Sequence, residues 1–334
     1  MRTPIAAVLA VAAILGFGAQ PALASDEVTW TVRTASNSFG ADRSSYSYNV
    51  NPGGSLKDAL VVANRGKKPV KLAVYASDGF TTGTGQLDLR GHADKQTGVG
   101  AWVTSAQKSL TVDAGKTITI PFTVTLPGNA TPGDHVGGII TSLTAPDATE
   151  TVNVERRLGI RIKMRVGGDL APALAIEKPH LSYEGGRATL DYTLHNTGNA
   201  TQSADQAAKV SGPFGWFSST AGTIAAPPEL LPGETWKVSV PLSDVTPAFW
   251  LTGKVTVTPR LTDASGSTTS LKPVTATAHA WAVPWLVAAL VLLLIAAIVL
   301  GVILYRRARV RRKEREDARV RDAVAEALDA AARP

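Results

Sequence analysis

The 334-residue chain contains no cysteine, which excludes disulfide staples, thiolate zinc sites and cysteine nucleophiles. Whatever folds here must hold together by packing alone. Histidine is scarce as well: His92, His135, His180, His195 and His279 are the only five, and no two stand three or four residues apart. A helical or hairpin metal pair therefore has no local support. Charge is missing altogether from the twenty-five residues between Trp281 and Tyr305.

That uncharged run is followed at once by Arg306, Arg307, Arg309, Arg311, Arg312 and Lys313. An apolar helix of roughly 20 residues crosses the ~30 Å hydrocarbon core of a bilayer, and lysine and arginine gather on the side that is not translocated. The pattern predicts a transmembrane helix over 281–305 and a basic cytosolic tail over 306–334. Val310, Val320, Val324 and Leu328 recur in that tail at spacings that suit a short helix. At the other end, Arg2, an apolar stretch from Ile5 to Phe17 and the small residues of Ala22-Leu23-Ala24 read as a signal peptide over 1–24. The expected topology is a single-pass type I membrane protein with its bulk outside the cell.

The formal charge of +7 does not point to nucleic acid. Ten basic and six acidic residues lie from Arg306 onward, and Arg2 leaves with the signal, so the outer segment keeps +2. Nucleic-acid binding needs a broad cationic footprint, which a nearly neutral segment does not offer. The basic run beside the membrane suits anionic lipid headgroups instead. A disulfide-free exported protein is also more typical of a Gram-positive bacterium than of an animal cell surface.

Between the two apolar segments the hydrophobic period is two. Ile118, Ile120, Phe122 and Val124 alternate with threonines and Pro121, and Val28, Trp30 and Val32 alternate with Thr29, Thr31 and Arg33. Strands of this kind bury one face and solvate the other. Pro121, on the outward side, marks an edge or a bulge. Glycine and proline turns such as Asn51-Pro52-Gly53-Gly54, Pro132-Gly133-Asp134 and Pro232-Gly233-Glu234 separate the strands. The fold class expected is all-β: two tandem immunoglobulin-like β-sandwich domains, 25–168 and 169–278, ahead of the transmembrane helix. A loose internal repeat supports the duplication. Ala63-Asn64-Arg65-Gly66 closes one strand and His195-Asn196-Thr197-Gly198 closes another, with Gly115-Lys116-Thr117 and Gly233-Glu234-Thr235 opening later ones.

Catalytic patterns are thin. Ser105-Ala106-Gln107-Lys108 has the S-x-x-K form of penicillin-binding enzymes, yet neither K-T-G nor S-D-N accompanies it. His135 beside Asp134 follows a Pro-Gly turn and reads as a turn residue. Asp78 to Asp88 has Gly83 at the sixth place of a calcium loop but Phe80 at the third and Leu89 at the twelfth, which rules out an EF-hand. A looser oxygen site on Asp78 and Asp88 stays open. No enzyme and no cofactor are expected.

Two binding candidates stand out. From Arg157 to Val166, Leu158, Ile160, Ile162, Met164 and Val166 share one face, while Arg157, Arg161, Lys163 and Arg165 share the other. At ~3.3 Å per residue the four cations make a stripe of about 26 Å, suited to a linear anionic polymer whose carboxylates or phosphates take arginine forks. A solvated face that discourages edge pairing is the plainer reading. Asp78 and Phe80 lie on a glycine-rich loop, where binding residues concentrate.

Several segments together resemble a family. Ser36-Asn37-Ser38, Asn51-Pro52-Gly53, Val62-Ala63-Asn64, Ala76-Ser77-Asp78-Gly79-Phe80-Thr81 and Pro132-Gly133-Asp134-His135-Val136-Gly137-Gly138-Ile139-Ile140 are similar to the cell-surface proteins of Gram-positive bacteria that carry the DUF916 domain, also called WxL-interacting proteins. The closing Gly159-Ile160-Arg161 belongs to the same pattern. The resemblance covers about residues 26–168, and the alanine- and arginine-rich tail looks actinobacterial. It implies a first domain that associates with peptidoglycan and a second that engages protein partners. The expectation is thus a non-catalytic, membrane-anchored protein that binds peptidoglycan or another anionic wall polymer, with secreted surface proteins as further partners. The alternative is a scaffold or chaperone-like subunit for assembling such proteins.

Overall fold

A computed structural model of the chain describes residues 29–146, 153–262 and 267–331. The expected signal peptide lies outside the described residues. The chain is predominantly β and divides into two compact units, one running to Phe80 and from Leu87 to Asp169, the other taking Thr81–Gln86 and everything from Leu170.

In the first unit the strands are β1 (Trp30–Thr34), β2 (Tyr46–Val50), β3 (Ser55–Asn64), β4 (Val70–Thr81) and β5 (Leu87–Leu89). A four-residue helix, α1 (Val99–Trp102), leads into β6 (Val103–Ser105), β7 (Ser109–Val112), β8 (Thr117–Thr125), β9 (Gly133–Pro146) and β10 (Asn153–Val166). One sheet has the order β1-β3-β8-β6. The other runs β2-β10-β9-β4-β5, with β7 also paired to β4. Alternation decides which side chains meet between them: Leu60, Leu72, Ile120, Phe122, Ile139 and Ile162 are all sealed from solvent in one cluster. Each such side chain contributes roughly 1.5–3 kcal/mol by leaving water. Pro121 falls just beyond the Val103–Ser105 pairing of β6 with β8, where its carbonyl accepts Ala106 N–H at 2.9 Å and the ladder bond that its absent N–H would make is the one omitted.

A buried ion pair ties the loop after β1 to β3. Asp58 receives Arg43 Nη1 on Oδ2 at 2.8 Å, Arg43 Nη2 and Asn37 Nδ2 on Oδ1 at 3.1 and 2.6 Å, and the Tyr48 hydroxyl on Oδ2 at 2.7 Å. The Arg43 guanidinium also lies 5.2 Å from the centre of the Tyr46 ring. Burial raises the Asp58 carboxyl, but these donors outweigh it and hold it below its ordinary value.

The second unit has β11 (Leu174–Glu184), β12 (Arg187–Asn196), β13 (Gln202–Ser211), β14 (Ser219–Thr220), β15 (Thr235–Leu242), β16 (Phe249–Thr262), β17 (Thr268–Ser270) and β18 (Val274–Ala282). The sheets are β11-β12-β15 and β14-β13-β16-β17, with β18 also on β16. Leu190, Leu194, Val210, Leu251, Val255 and Val257 form the centre of its core.

The chain ends in one helix, α2 (Trp285–Ala331), 47 residues long. It is the one helix among the described residues long and apolar enough to cross a membrane. Its uncharged part, Trp285 to Tyr305, spans about 31 Å at ~1.5 Å per residue, the thickness of a hydrocarbon core. The helix begins four residues later than the uncharged run suggests. Trp281 and Ala282 instead complete β18, paired with Trp250 and Phe249, and Pro284 precedes the first helical turn.

Candidate functional site

The candidate cations all lie on β10, and the pairing of that strand sorts them. Over Ile162–Val166 it is held between β9 and β2, whereas over Asn153–Arg161 only β9 pairs with it. Lys163 and Arg165 thus sit in the enclosed half, so guarding an edge is not their role. Opposite Arg165 the register places Asp134, and the two form a forked ion pair, Nε–Oδ1 2.6 Å and Nη2–Oδ2 2.9 Å. The expected four-cation stripe is therefore shorter than its sequence spacing implied: Arg165 is neutralised by its neighbour. Arg157 and Arg161 remain on the outer face, where Arg161 is exposed and has no carboxylate partner among the described residues.

These two arginines form one wall of a groove of about 340 Å³. Gly137, Gly159 and Ile140 make its floor, and Leu87, Asp88 and Leu89 of β5 make the facing wall. Glycine is required by close approach at Gly137 and at the adjacent Gly138. A Cβ on Gly138 would come 2.6 Å from Leu89 Cδ1, and one on Gly137 would come 2.5 Å from the Ser77 carbonyl oxygen and 2.6 Å from Val99 Cβ. Gly138 lets the β5 segment lie on the outer face, and Gly137 lets α1 lie against the inner one.

An adjoining hollow of about 450 Å³ shares Asp88, Leu89 and Arg157 and adds Phe80, Arg90 and Glu155. Arg90 lies over the Phe80 ring, 5.9 Å from its centre. Tyr75 donates to Glu155 Oε1 at 3.2 Å and packs against His92 with ring centres 4.3 Å apart. Burial, and after it the Glu155 carboxylate, raise the Tyr75 phenol. The lining carries both acids and bases, so the surface is a mixed one in which guanidinium forks can grip carboxylate or phosphate while Asp88 and Glu155 accept from hydroxyls.

Asp78 and Phe80 lie at the end of strand β4 and not on a loop as expected, and Asp78 is placed differently from Phe80. Its carboxylate is buried and accepts the backbone N–H groups of Thr97 at 2.6 Å, Gly98 at 3.1 Å and Gly100 at 2.7 Å. It shapes the turn into α1, as side-chain carboxylates do at helix starts. Gln96 completes that clamp, accepting Asp78 N–H at 2.6 Å and donating to Gly91 and Asp94 carbonyls. No group of three or more metal-ligating side chains occurs among the described residues. Ser105 bonds within its own turn, to Gln107 at 2.8 Å, and His135 Nε2 contacts the Thr131 carbonyl while its ring meets Trp102.

Sequence reasoning missed the β5 wall, Glu155 and the Tyr75–His92 pair. The signal available for them was the glycine pair at 137–138, which does announce a close approach.

No family model and no curated protein matches the chain. Among solved structures it is similar to the class 5 fimbriae chaperone CfaA, at 12% identity over 75% of this chain and 99% of that one, with a TM-score of 0.38. It is also similar to the YadV chaperone, at 10% identity over 74% and 98% with a TM-score of 0.32. A third is the CupB2 chaperone of Pseudomonas aeruginosa, at 10% identity over 72% and 98% with a TM-score of 0.29. Likenesses of this degree decide neither the topology nor a partner.

Proposed function

We propose that this chain is a non-catalytic surface protein, anchored by α2 with both β units outside the cell, whose first unit binds an anionic cell-wall polymer in the groove beside Arg157 and Arg161. The observation that carries the reading is a guanidinium wall over a glycine floor, in which Arg157 is steadied by the Leu89 and Arg90 carbonyls at 3.4 and 3.5 Å and Arg161 has no carboxylate partner among the described residues. An extended ligand can lie close to the strands there, because no side chain rises from Gly159 to hold it off. Anionic and hydroxyl groups together, as in peptidoglycan and its attached polymers, match a lining that holds both bases and acids. The orientation follows from the basic residues that begin at Arg306 immediately after the uncharged span. Both units are taken as copies of one immunoglobulin-like plan, and kinship with DUF916 proteins belongs to the same reading.

The test is co-sedimentation of the full-length protein, held in detergent micelles, with isolated Gram-positive cell walls across a salt series. Binding that weakens as salt rises supports the groove, since exposed ion contacts are screened. An absence of binding at low salt removes the wall-polymer claim.

A second reading, a scaffold for secreted surface proteins, is favoured by one observation: among the described residues β15 pairs on one side only, leaving an eight-residue edge. Such an edge can accept an added strand from a partner. This reading rests on that edge and not on the likeness to fimbrial chaperones, whose TM-scores are 0.38 and 0.32. A photo-crosslinker at Ser239, on β15, would capture proteins in intact cells under the scaffold reading and none under the wall-polymer reading.

A further inference from the structure

The second unit bears a cluster of exposed aromatic side chains that neither its core nor the groove uses. Phe214 is 91% exposed, Trp216 64%, Phe217 57%, Phe249 53% and Trp281 71%. Strand register puts all of them at one end. Ser211, the last residue of β13, pairs with Thr252 near the start of β16, and Phe249 at that start pairs with Ala282 at the end of β18. The Pro213–Phe217 loop leaves from the same end and packs against the segment before Phe249, since a Cβ on Gly212 would lie 2.8 Å from Ala248 Cβ.

That end is also where α2 begins. Only Val283 and Pro284 separate β18 from Trp285, which is itself 78% exposed. Charge is absent from all three contributing segments: none occurs from Val210 to Pro228, from Val245 to Gly253 or from Ala280 to Tyr305. Three of the bulky residues are held in the left-handed backbone region, Phe214 at φ 58, Phe217 at φ 53 and Phe249 at φ 61. Large side chains adopt that conformation only when something else is gained. Trp250 and Trp281 are locked edge to face, with ring centres 4.9 Å apart.

We infer that this aromatic end is a lipid-contacting foot: Phe214, Trp216, Phe217 and Phe249 sit in the headgroup boundary of the outer leaflet, alongside Trp281 and Trp285. Tryptophan favours that boundary because its ring is apolar while its indole N–H stays wet, and phenylalanine rings bury beside it at the headgroup/acyl level. The occupant is a bilayer because the patch is continuous with the helix proposed to cross one, and the inference rests on that membrane-anchored reading. Its consequence is mechanical. A domain seated on lipid through two separate loops as well as its tether cannot tumble freely about Val283-Pro284, so the tilt of the second unit at the cell surface is set.

The lack of native cysteine makes the test direct. Single-cysteine variants of the full-length protein, Phe214→Cys, Phe249→Cys, Thr269→Cys and Leu294→Cys, are spin-labelled in phosphatidylcholine/phosphatidylglycerol nanodiscs. Collision with oxygen, which concentrates in lipid, is compared with collision with a water-soluble nickel chelate. Thr269 lies at the far end of the unit and Leu294 within α2. The expected result is an oxygen-to-nickel ratio at Phe214 and Phe249 severalfold above that at Thr269, with Leu294 higher still. A lipid-like ratio at Leu294 with Phe214 and Phe249 equal to Thr269 overturns the foot and leaves the anchor standing. Labels at 214 and 249 shielded from both reagents also overturn it, because a protein surface then covers the patch. A water-like ratio at Leu294 overturns the anchored reading and the foot together.

Discussion

Asn64 and Asn196 share three hydrogen bonds of the same kind in the two units, and Asn196 Oδ1 accepts Gln202 Nε2 as well, at 3.0 Å. The Asn64 amide donates to the Lys68 and Val112 carbonyls at 2.8 and 2.9 Å, and its oxygen accepts Gly66 N–H at 2.8 Å. The Asn196 amide donates to Ala200 and Leu230 carbonyls at 2.8 and 2.9 Å, and its oxygen accepts Gly198 N–H at 3.1 Å. Each asparagine ends the central strand of a sheet and pins the turn that leaves it to a distant segment.

Replacing either asparagine removes two amide donors to backbone carbonyls and the oxygen that accepts the turn's N–H. Asn64→Ala and Asn196→Ala are each expected to destabilise the protein by about 1–3 kcal/mol, the usual cost of an unmet buried polar group. Urea unfolding followed by tryptophan fluorescence checks this. The Asn196→Ala effect should appear in the transition of the second unit, and that of Asn64→Ala in the first.

The Arg43–Asp58 pair gives a sharper contrast. Asp58→Asn leaves the guanidinium without its counter-charge and is expected to cost about 3–5 kcal/mol, whereas the double variant Arg43→Met/Asp58→Leu costs markedly less, since removing both charges removes the desolvation burden. Thermal unfolding of the two variants beside the wild type measures the difference.

The same carboxylate predicts a pH dependence. Asp58 is held below its ordinary value of 3.8 in the folded state, so the unfolded chain takes up its proton first as pH falls. The contribution is fully present above pH 3.8 and is lost as pH drops through the lower folded value. Unfolding free energy measured from pH 6 downward should fall more steeply in the wild type than in Arg43→Met/Asp58→Leu.

Glycines 137 and 138 should differ in their tolerance of a methyl group. At Gly137 the added Cβ meets the Ser77 backbone oxygen at 2.5 Å, while at Gly138 the nearest atom is the tip of Leu89. Gly137→Ala is expected to cost about 1–3 kcal/mol, as overpacking does, and Gly138→Ala less, because Leu89 can turn aside. Comparing the two unfolding midpoints decides it.

Much of the architecture was legible because alternation is a local signal: the inward row of Ile118, Ile120, Phe122 and Val124 can be read from four consecutive odd-even steps. The turn asparagines Asn64 and Asn196 were visible for the same reason, in short motifs that recur. What stayed hidden depends on residues far apart in the chain. Arg165 reads as a free cation until register brings Asp134 opposite it, 31 positions away. Asp78 reads as a loop ligand until the N–H groups of residues 97–100 fold back onto it. The boundary near Trp281 was missed because an uncharged run looks alike in a buried strand end and in a membrane helix.

The groove itself is tested most directly by binding isotherms of the full-length protein on isolated cell walls, with wild type, Arg157→Gln/Arg161→Gln and Arg165→Gln measured in parallel at low salt. The account predicts that the double variant loses most of the affinity and its salt dependence, while Arg165→Gln, whose charge is already taken by Asp134, binds as the wild type does. Equal binding by the wild type and the double variant would contradict it.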